Sequence, residues 1–301
     1  MGDLLGSRSR GPRRLRELLA QPAPLLLPGC YDALGARLIE QAGFDAAYMT
    51  GFGTSAGLLG RPDVGLLGLA EMVDNARRIT QATSLPVFAD ADTGYGNPIN
   101  VIRTVREYEQ AGVAGIHIED QVMPKKCGHM ENKSVVPQGE MVAKIEAAVA
   151  ARHDDDFVII ARTDARAPLG LDAAIERAIA CRAAGADVLF VEALQGTDEM
   201  EQVAAALPGV PLLFNWVEGG KTPPLELDDI AALGFAAVIM PISTLFAATK
   251  AMVDVLADIR DRGTPVGALG RMPTFAEFTD LIGLPEITEL EQRFADRNAT
   301  T

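Results

Sequence analysis

Short apolar runs alternate with longer stretches of helical spacing along nearly the whole chain. The runs predict strands at 24–29 (PLLLPG), 46–50 (AAYMT), 86–90 (PVFAD), 115–119 (GIHIE), 157–162 (FVIIAR), 187–192 (DVLFVE), 211–215 (PLLFN) and 236–241 (AAVIMP), eight in all. Between them the 3.6-residue period predicts helices in segments such as DALGARLIEQAG, LAEMVDNARRITQAT, INVIRTVREYEQAG and LDAAIERAIACRAAG. Several of these end in a glycine just before the next strand, at Gly43, Gly112, Gly185 and Gly234. Glycine at that point suits the left-handed terminus that returns the chain to the sheet.

Strict alternation with fully apolar strands implies an α/β fold with parallel strands buried on both faces, and eight of them close into a (β/α)8 barrel. The competing doubly wound sheet calls for a G-x-G-x-x-G turn after the first strand, and PGCYDALGAR does not supply it. At 301 residues the chain reads as one domain without an internal linker. It divides into a basic N-terminal segment at 1–22, a barrel at 24–262 and a C-terminal helical region at 274–297.

Polar residues stand at the C-terminal strand ends: Cys30 with Asp32, Thr50, Asp90 with Asp92, Glu119, Arg162 with Asp164, Glu192, Asn215 and Ser243. In a barrel all of them face one rim, where barrel enzymes keep their active sites. Helix and turn capping explains one or two such residues, not eight strands in succession. Asp90 and Asp92 lie two apart on an extended segment and Glu119 ends the neighbouring strand, with Asp63 available from the loop after strand 2. Carboxylates so close repel unless a cation sits among them, and an all-oxygen set favours Mg²⁺ or Mn²⁺. Cys127 lies in a polar stretch of about 20 residues after strand 4, a length common in active-site lids. Lys125, Lys126 and His129 around it are expected to lower its pKa, although an incidental cysteine in a basic loop fits the sequence equally well.

Composition narrows the chemistry. A net charge of −14 argues against nucleic acid as a partner. Three scattered cysteines give neither a disulfide framework nor a structural zinc site, which points to a reducing cytoplasm. No apolar run is long enough to span a membrane and the N-terminus lacks an apolar signal core. RSRGPRRLRELL reads as a tail leading into a short amphipathic helix, ahead of a basic arm. EGGKT at 218–222 fails as a phosphate loop, because Asn215 stands where its first glycine belongs and Pro223-Pro224 replace the helix. His117 and Trp216 each fit a core role or a site role, and Cys181 reads as core.

DADTGYGN, HIEDQVMPKKCGHM, FVIIARTDA and NWVEGGKTP, in this order and spacing, resemble the isocitrate lyase / phosphoenolpyruvate mutase superfamily. The similarity covers roughly residues 25 to 295 and includes the K-[KR]-C-G-H signature. It implies a (β/α)8 barrel whose C-terminal helix is exchanged between subunits, in a homotetramer. It further implies Asp90 as the direct Mg²⁺ ligand, with Asp63, Asp92 and Glu119 acting largely through water. Tyr48, Thr50, Gly51 and Phe52 would hold the substrate with Arg162, Glu192 and Asn215, and Cys127 would be the general acid, working with Arg162 and Glu119.

The activity so implied is Mg²⁺-dependent retro-aldol cleavage of a 2-hydroxy dicarboxylate to pyruvate and a second acid. Methylisocitrate lyases continue strand 8 as P-L-S-x-F-R, whereas this chain reads PISTLFAAT and places Phe246 where that arginine would stand. A buried third carboxylate would lack its partner there. The expected substrate is therefore a substituted malate such as 2,3-dimethylmalate, ahead of 2-methylisocitrate. The alternatives are carboxyphosphoenolpyruvate phosphonomutase chemistry, oxaloacetate hydrolysis, and a non-catalytic barrel used for binding or assembly.

Overall fold

The computed structural model describes residue 5 and residues 11–295. Its eight strands are β1 (Leu25–Cys30), β2 (Ala47–Met49), β3 (Val87–Asp90), β4 (Gly115–Glu119), β5 (Val158–Thr163), β6 (Val188–Val191), β7 (Leu213–Asn215) and β8 (Ala237–Met240). All pairings are parallel and run β6-β5-β4-β3-β2-β1-β8-β7. The parallel bridge Leu189–Leu212 and the bond from the Leu189 amide to the Pro211 carbonyl join β6 to β7 and close the ring. The expected barrel is thus observed, each strand within two residues of its predicted bounds.

Helices return the chain outside the ring, and their ends carry ordinary capping chemistry. Asn97 caps Pro98–Ala111 through its side chain, with Pro98 at the first position, where a missing amide costs nothing. Gly43, Gly112, Gly185 and Gly234 all take positive φ, as their position before the next strand requires. The 3.6-residue apolar stripes of these helices meet the outer faces of the strands in one continuous core.

A second core fills the barrel interior. It contains Leu25, Leu27, Tyr48, Phe88, Ile160, Phe190 and Ile239, and it reaches Leu15, Leu18 and Leu19 of the helix Gly11–Leu19. That helix lies against the N-terminal strand ends, where Arg16 donates from Nε to the Asp156 carbonyl at 2.8 Å and pairs with Asp187 at 2.9 Å. Burying three leucines contributes about 1.5–3 kcal/mol each. The amphipathic segment read from the sequence is therefore a plug at the barrel floor, and most of the basic stretch before it lies outside the described residues.

Because side chains alternate along a strand, the interior positions of β3 to β7 each run from an apolar or aromatic residue to a polar one at the last inward position. Tyr48, Phe88, His117 and Phe190 form a ring layer with centroids 5.1–6.0 Å apart. Thr50, Asp90, Glu119, Arg162, Glu192 and Asn215 stand at the strand ends of that side. Beyond β8, the helices Ser243–Arg262, Phe275–Leu281 and Leu284–Ala295 contain no buried residue. Among the described residues no helix is long and apolar enough to cross a membrane.

Candidate active site

At the C-terminal rim lies a cavity of about 230 Å³. Tyr48, Thr50, Phe52, Asp63, Asp90, Cys127, Arg162, Glu192 and Asn215 line it, all of them singled out in the sequence. Gly51, Asp92 and Glu119 do not reach its surface. Glu119 and Asp92 are buried close behind, and the Gly51 backbone lies so near Asp90 that a Cβ there would run into Asp90 Oδ2.

The rim is assembled by short-range rules. Thr50 caps the helix Gly51–Leu59, its hydroxyl accepting from the Gly53 amide at 3.2 Å. The first-turn amides of Gly51 and Phe52 have no intrahelical acceptor, which makes this helix start an anion-binding surface beside the cavity. Asp32, by contrast, is a cap and nothing more, accepting from Gly35 at 2.6 Å. Cys30 is fully buried beside the Tyr48 carbonyl, and Cys181 is core as expected.

The carboxylate cluster differs from the sequence expectation in one respect. β3 ends at Asp90, and Asp92 takes a left-handed φ of 48°, so strand alternation does not bring the two together. The Asp92 amide donates to Asp90 Oδ1 at 2.9 Å, while its carboxylate turns to Lys125, whose Nζ lies 2.7 Å from Asp63 Oδ1 and 2.5 Å from Asp92 Oδ1 in a buried setting. Burial works against that ammonium, yet Asp92 and Asp63 outweigh it and hold it protonated. Lys125, with Arg162 beside Glu119, leaves an excess of negative charge among the four carboxylates. Burial, reinforced by Asp90 and Asp63, pushes Asp92 up to about 7, and burial pushes Glu119 well above the carboxylate range. Glu119 Oε1 is buried without a hydrogen-bond partner. A hard divalent cation fits this all-oxygen set. Among the described residues no three acidic, His or Cys side chains converge tightly enough to chelate an ion by themselves, so water would fill most of its shell.

Arg162 lies across the cavity floor. Asp164 takes its Nε and Nη2, Glu119 lies 3.3 Å from Nη1 and Glu192 3.4 Å from Nη2, and its guanidinium stacks 5.1 Å over Phe190. Asp164 is in turn held by Lys133 at 2.7 Å, and its backbone amide donates to Asp120, which also accepts from Thr163 and Arg177. Asp120, Lys133 and Arg177 went unnoticed in the sequence. Their signal is burial of charge, which no local pattern carries.

The 120–137 segment is a hairpin, with antiparallel contacts Gln121–Val135, Val122 to Ser134 and Val136 to Asp120 at its base. Its tip lays Cys127, Gly128, His129 and Met130 over the cavity. His129 receives the Lys221 amide on Nδ1 at 3.0 Å, so the proton on Nε2 faces Glu192 at 3.2 Å. The expectation that basic neighbours lower the Cys127 pKa is overturned. Lys125 is spent on Asp63 and Asp92, Lys126 on the carbonyls of Glu131 and Asn132, and burial pushes the Cys127 thiol up to about 11. The thiol is therefore protonated at neutral pH.

His117 is buried in the aromatic layer, its Nε2 3.0 Å from the Tyr48 hydroxyl and 3.4 Å from Asp90 Oδ1, so it packs in the core and borders the site at once. Trp216 packs against the outer core and donates to the Leu225 carbonyl at 3.1 Å. The lining also has an apolar group, Val217, Ile239, Pro241, Ile242 and Phe246, with Glu218 next to Val217; Phe246 is 45% exposed.

Comparison with known proteins gives a consistent picture. Residues 15–260 match the family model described as phosphoenolpyruvate phosphomutase. The 2,3-dimethylmalate lyase of Eubacterium barkeri is 51% identical over 282 residues, covering 94% of this chain and 97% of that protein. A solved structure of oxaloacetate acetylhydrolase with the inhibitor 3,3-difluorooxalacetate superposes with a TM-score of 0.91 at 39% identity, over 96% of this chain and 99% of that one. Phosphonopyruvate hydrolase in complex with oxalate and Mg²⁺ superposes with a TM-score of 0.86 at 34% identity, over 95% and 99%.

Proposed function

The chain belongs to the phosphoenolpyruvate phosphomutase family, and within it we propose that it is a carbon–carbon lyase that cleaves a substituted malate, such as 2,3-dimethylmalate, to pyruvate and propionate. The observation that carries this reading is a cavity lined both by Arg162 and by the apolar residues Ile239, Pro241, Ile242 and Phe246 of the β8 end. That lining suits a dicarboxylate with alkyl substituents. A third carboxylate would face Ile242 and Phe246 with no cation to receive it. The half-identical lyase from Eubacterium barkeri supports the same substrate class.

Each residue then has a task. The amides of Gly51 and Phe52, beside Thr50, receive the carboxylate next to the hydroxyl carbon. Mg²⁺, held by Asp90 and through water by Asp63, Asp92 and Glu119, would act as a Lewis acid that favours loss of the substrate hydroxyl proton. Arg162, fixed by Asp164 and Glu119, pairs with the negative charge on the deprotonated hydroxyl oxygen until carbonyl formation moves it into the breaking bond, and Tyr48, Glu192 and Asn215 bound the rest of the substrate. When the C2–C3 bond breaks, its electron pair passes to the departing acid, whose carbon takes the proton from Cys127 Sγ. A thiol pushed up to about 11 enters the step protonated, as a general acid must. The thiolate left behind recovers a proton equivalent to the one lost from the hydroxyl, so the cycle balances. The 120–137 hairpin excludes water while the carbanion-like fragment lives.

The apolar faces of the three C-terminal helices support the remaining expectations. Met252, Leu256, Phe275 and Phe294 are between 47% and 83% exposed on these helices, large apolar side chains that a partner surface would cover. Exchange of this helical region between subunits of a homotetramer would cover them. The free thiols of Cys30, Cys127 and Cys181 suit a reducing cytoplasm.

The decisive assay incubates the protein and Mg²⁺ separately with 2,3-dimethylmalate, 2-methylisocitrate and oxaloacetate. Metal-dependent pyruvate from dimethylmalate, with little from methylisocitrate, is the expected result. Preference for methylisocitrate overturns the Phe246 argument, and oxalate from oxaloacetate as the main activity overturns the lyase. Phosphorus chemistry is the second reading, favoured by the family model itself.

A further inference from the structure

Lys133 is buried in the 120–137 hairpin as deeply as Lys125, their side chains 1% and 2% exposed, and the mechanism above gives it no task. Asn132 before it takes a left-handed φ of 58°, a conformation asparagine tolerates. Lys126 reaches over that turn from outside and donates to the Asn132 carbonyl at 3.1 Å. The turn drives the Lys133 ammonium inward to two acceptors, the Gly128 carbonyl of the hairpin tip and Asp164 Oδ1 at 2.7 Å. Oδ1 is the oxygen that also accepts from Arg162 Nη2 at 3.2 Å. The tip is pressed onto the same group from above: a Cβ on Gly128 would stand 2.5 Å from Arg162 Nη2 and 2.6 Å from Glu192 Cδ.

We infer that Lys133 is a positioning residue, a latch that ties the Gly128 carbonyl of the closed hairpin to the Asp164 carboxylate orienting Arg162, so that hairpin closure and guanidinium placement occur together. A lysine is almost never fully buried without a partner, and here both partners belong to the site. Removing an ammonium from water nearly cancels what the ion pair returns, so such a pair adds little net stability but selects one geometry. That balance suits a contact that must break whenever substrate enters or product leaves. The assignment rests on the proposed reaction only for its kinetic consequence; the tie between hairpin and barrel stands without it.

The hairpin tip carries Cys127, while Cys30 and Cys181 are sealed in the core. Iodoacetamide labelling of the full-length protein, read by mass spectrometry, therefore reports hairpin opening at Cys127 and global opening at the other two. Lys133→Met should accelerate Cys127 labelling at least fivefold with Cys30 and Cys181 unchanged. Lys133→Arg should restore the slow rate, and Gly128→Ala should accelerate labelling from the opposite side of the contact. With 2,3-dimethylmalate and Mg²⁺, Lys133→Met should lower kcat at least tenfold with KM within threefold. Cys127 labelling at the wild-type rate in Lys133→Met overturns the latch, and so does parallel labelling of all three thiols, which marks a structural role. Faster Cys127 labelling in a protein whose wild type cleaves none of the tested acids upholds the latch and removes the reaction.

Discussion

Asp164 grips Arg162 through both carboxylate oxygens, Nε to Oδ2 at 2.9 Å and Nη2 to Oδ1 at 3.2 Å. The bidentate fork fixes the plane of the guanidinium as well as its position. Arg162, with Lys133 beside it, outweighs the burial that would raise the Asp164 carboxyl and holds it well below the usual range. Asp164→Ala should lower stability by about 3–5 kcal/mol, because it strands buried cations. Urea unfolding measures this, and a loss under about 1 kcal/mol would contradict the pairing.

Cys127→Ser should retain substrate affinity within a few-fold and lose about 10²–10⁴ in kcat, the range of a positioned proton donor. The wild-type rate carries a sign as well. Its active form is the protonated thiol, so activity persists through neutral pH and falls only as pH climbs toward about 11. A descending limb near the ordinary thiol value of about 8.5 would contradict the burial that raises the Cys127 thiol, and a limb that persists in Cys127→Ser would assign the acid to another group.

Asp90→Ala should abolish Mg²⁺ binding in calorimetric titration along with turnover, since Asp90 is the cluster carboxylate that faces the cavity without Lys125 on it. EDTA on the wild type should stop turnover and excess Mg²⁺ should restore it. Undiminished turnover in EDTA would remove the metal from the reaction.

Phe246→Arg should shift preference from dimethylmalate toward 2-methylisocitrate, because it supplies the cation the apolar group lacks. A hydrogen bond to a charged group contributes about 1.5–3 kcal/mol, or roughly 10- to 150-fold in the ratio of kcat/KM values. An unchanged ratio would show that Phe246 does not set the substrate.

Light scattering of the purified protein should give a four-chain particle, and removal of residues 275–301 should reduce its size. A monomer with Phe275 still in water would leave the C-terminal helices unexplained.

The sequence by itself determined the barrel and most of its rim. Strand and helix periods are local, so eight strands and the glycine-ended helices could be read within two residues, and alternation along β3 to β7 set Asp90, Arg162, Glu192 and Asn215 on the cavity with Glu119 buried just behind. Tertiary structure alone decided the electrostatics. Lys125 stands beside Cys127 in the chain's basic run but spends its charge on Asp63 and Asp92, so the thiol sits near 11 instead of below its usual value. Lys133 and Asp164 are 31 positions apart and are brought together by the hairpin's fold over the barrel end. Charge and pKa depend on which distant groups burial brings within a few ångströms and how much water it removes, and neither quantity is written in residue spacing.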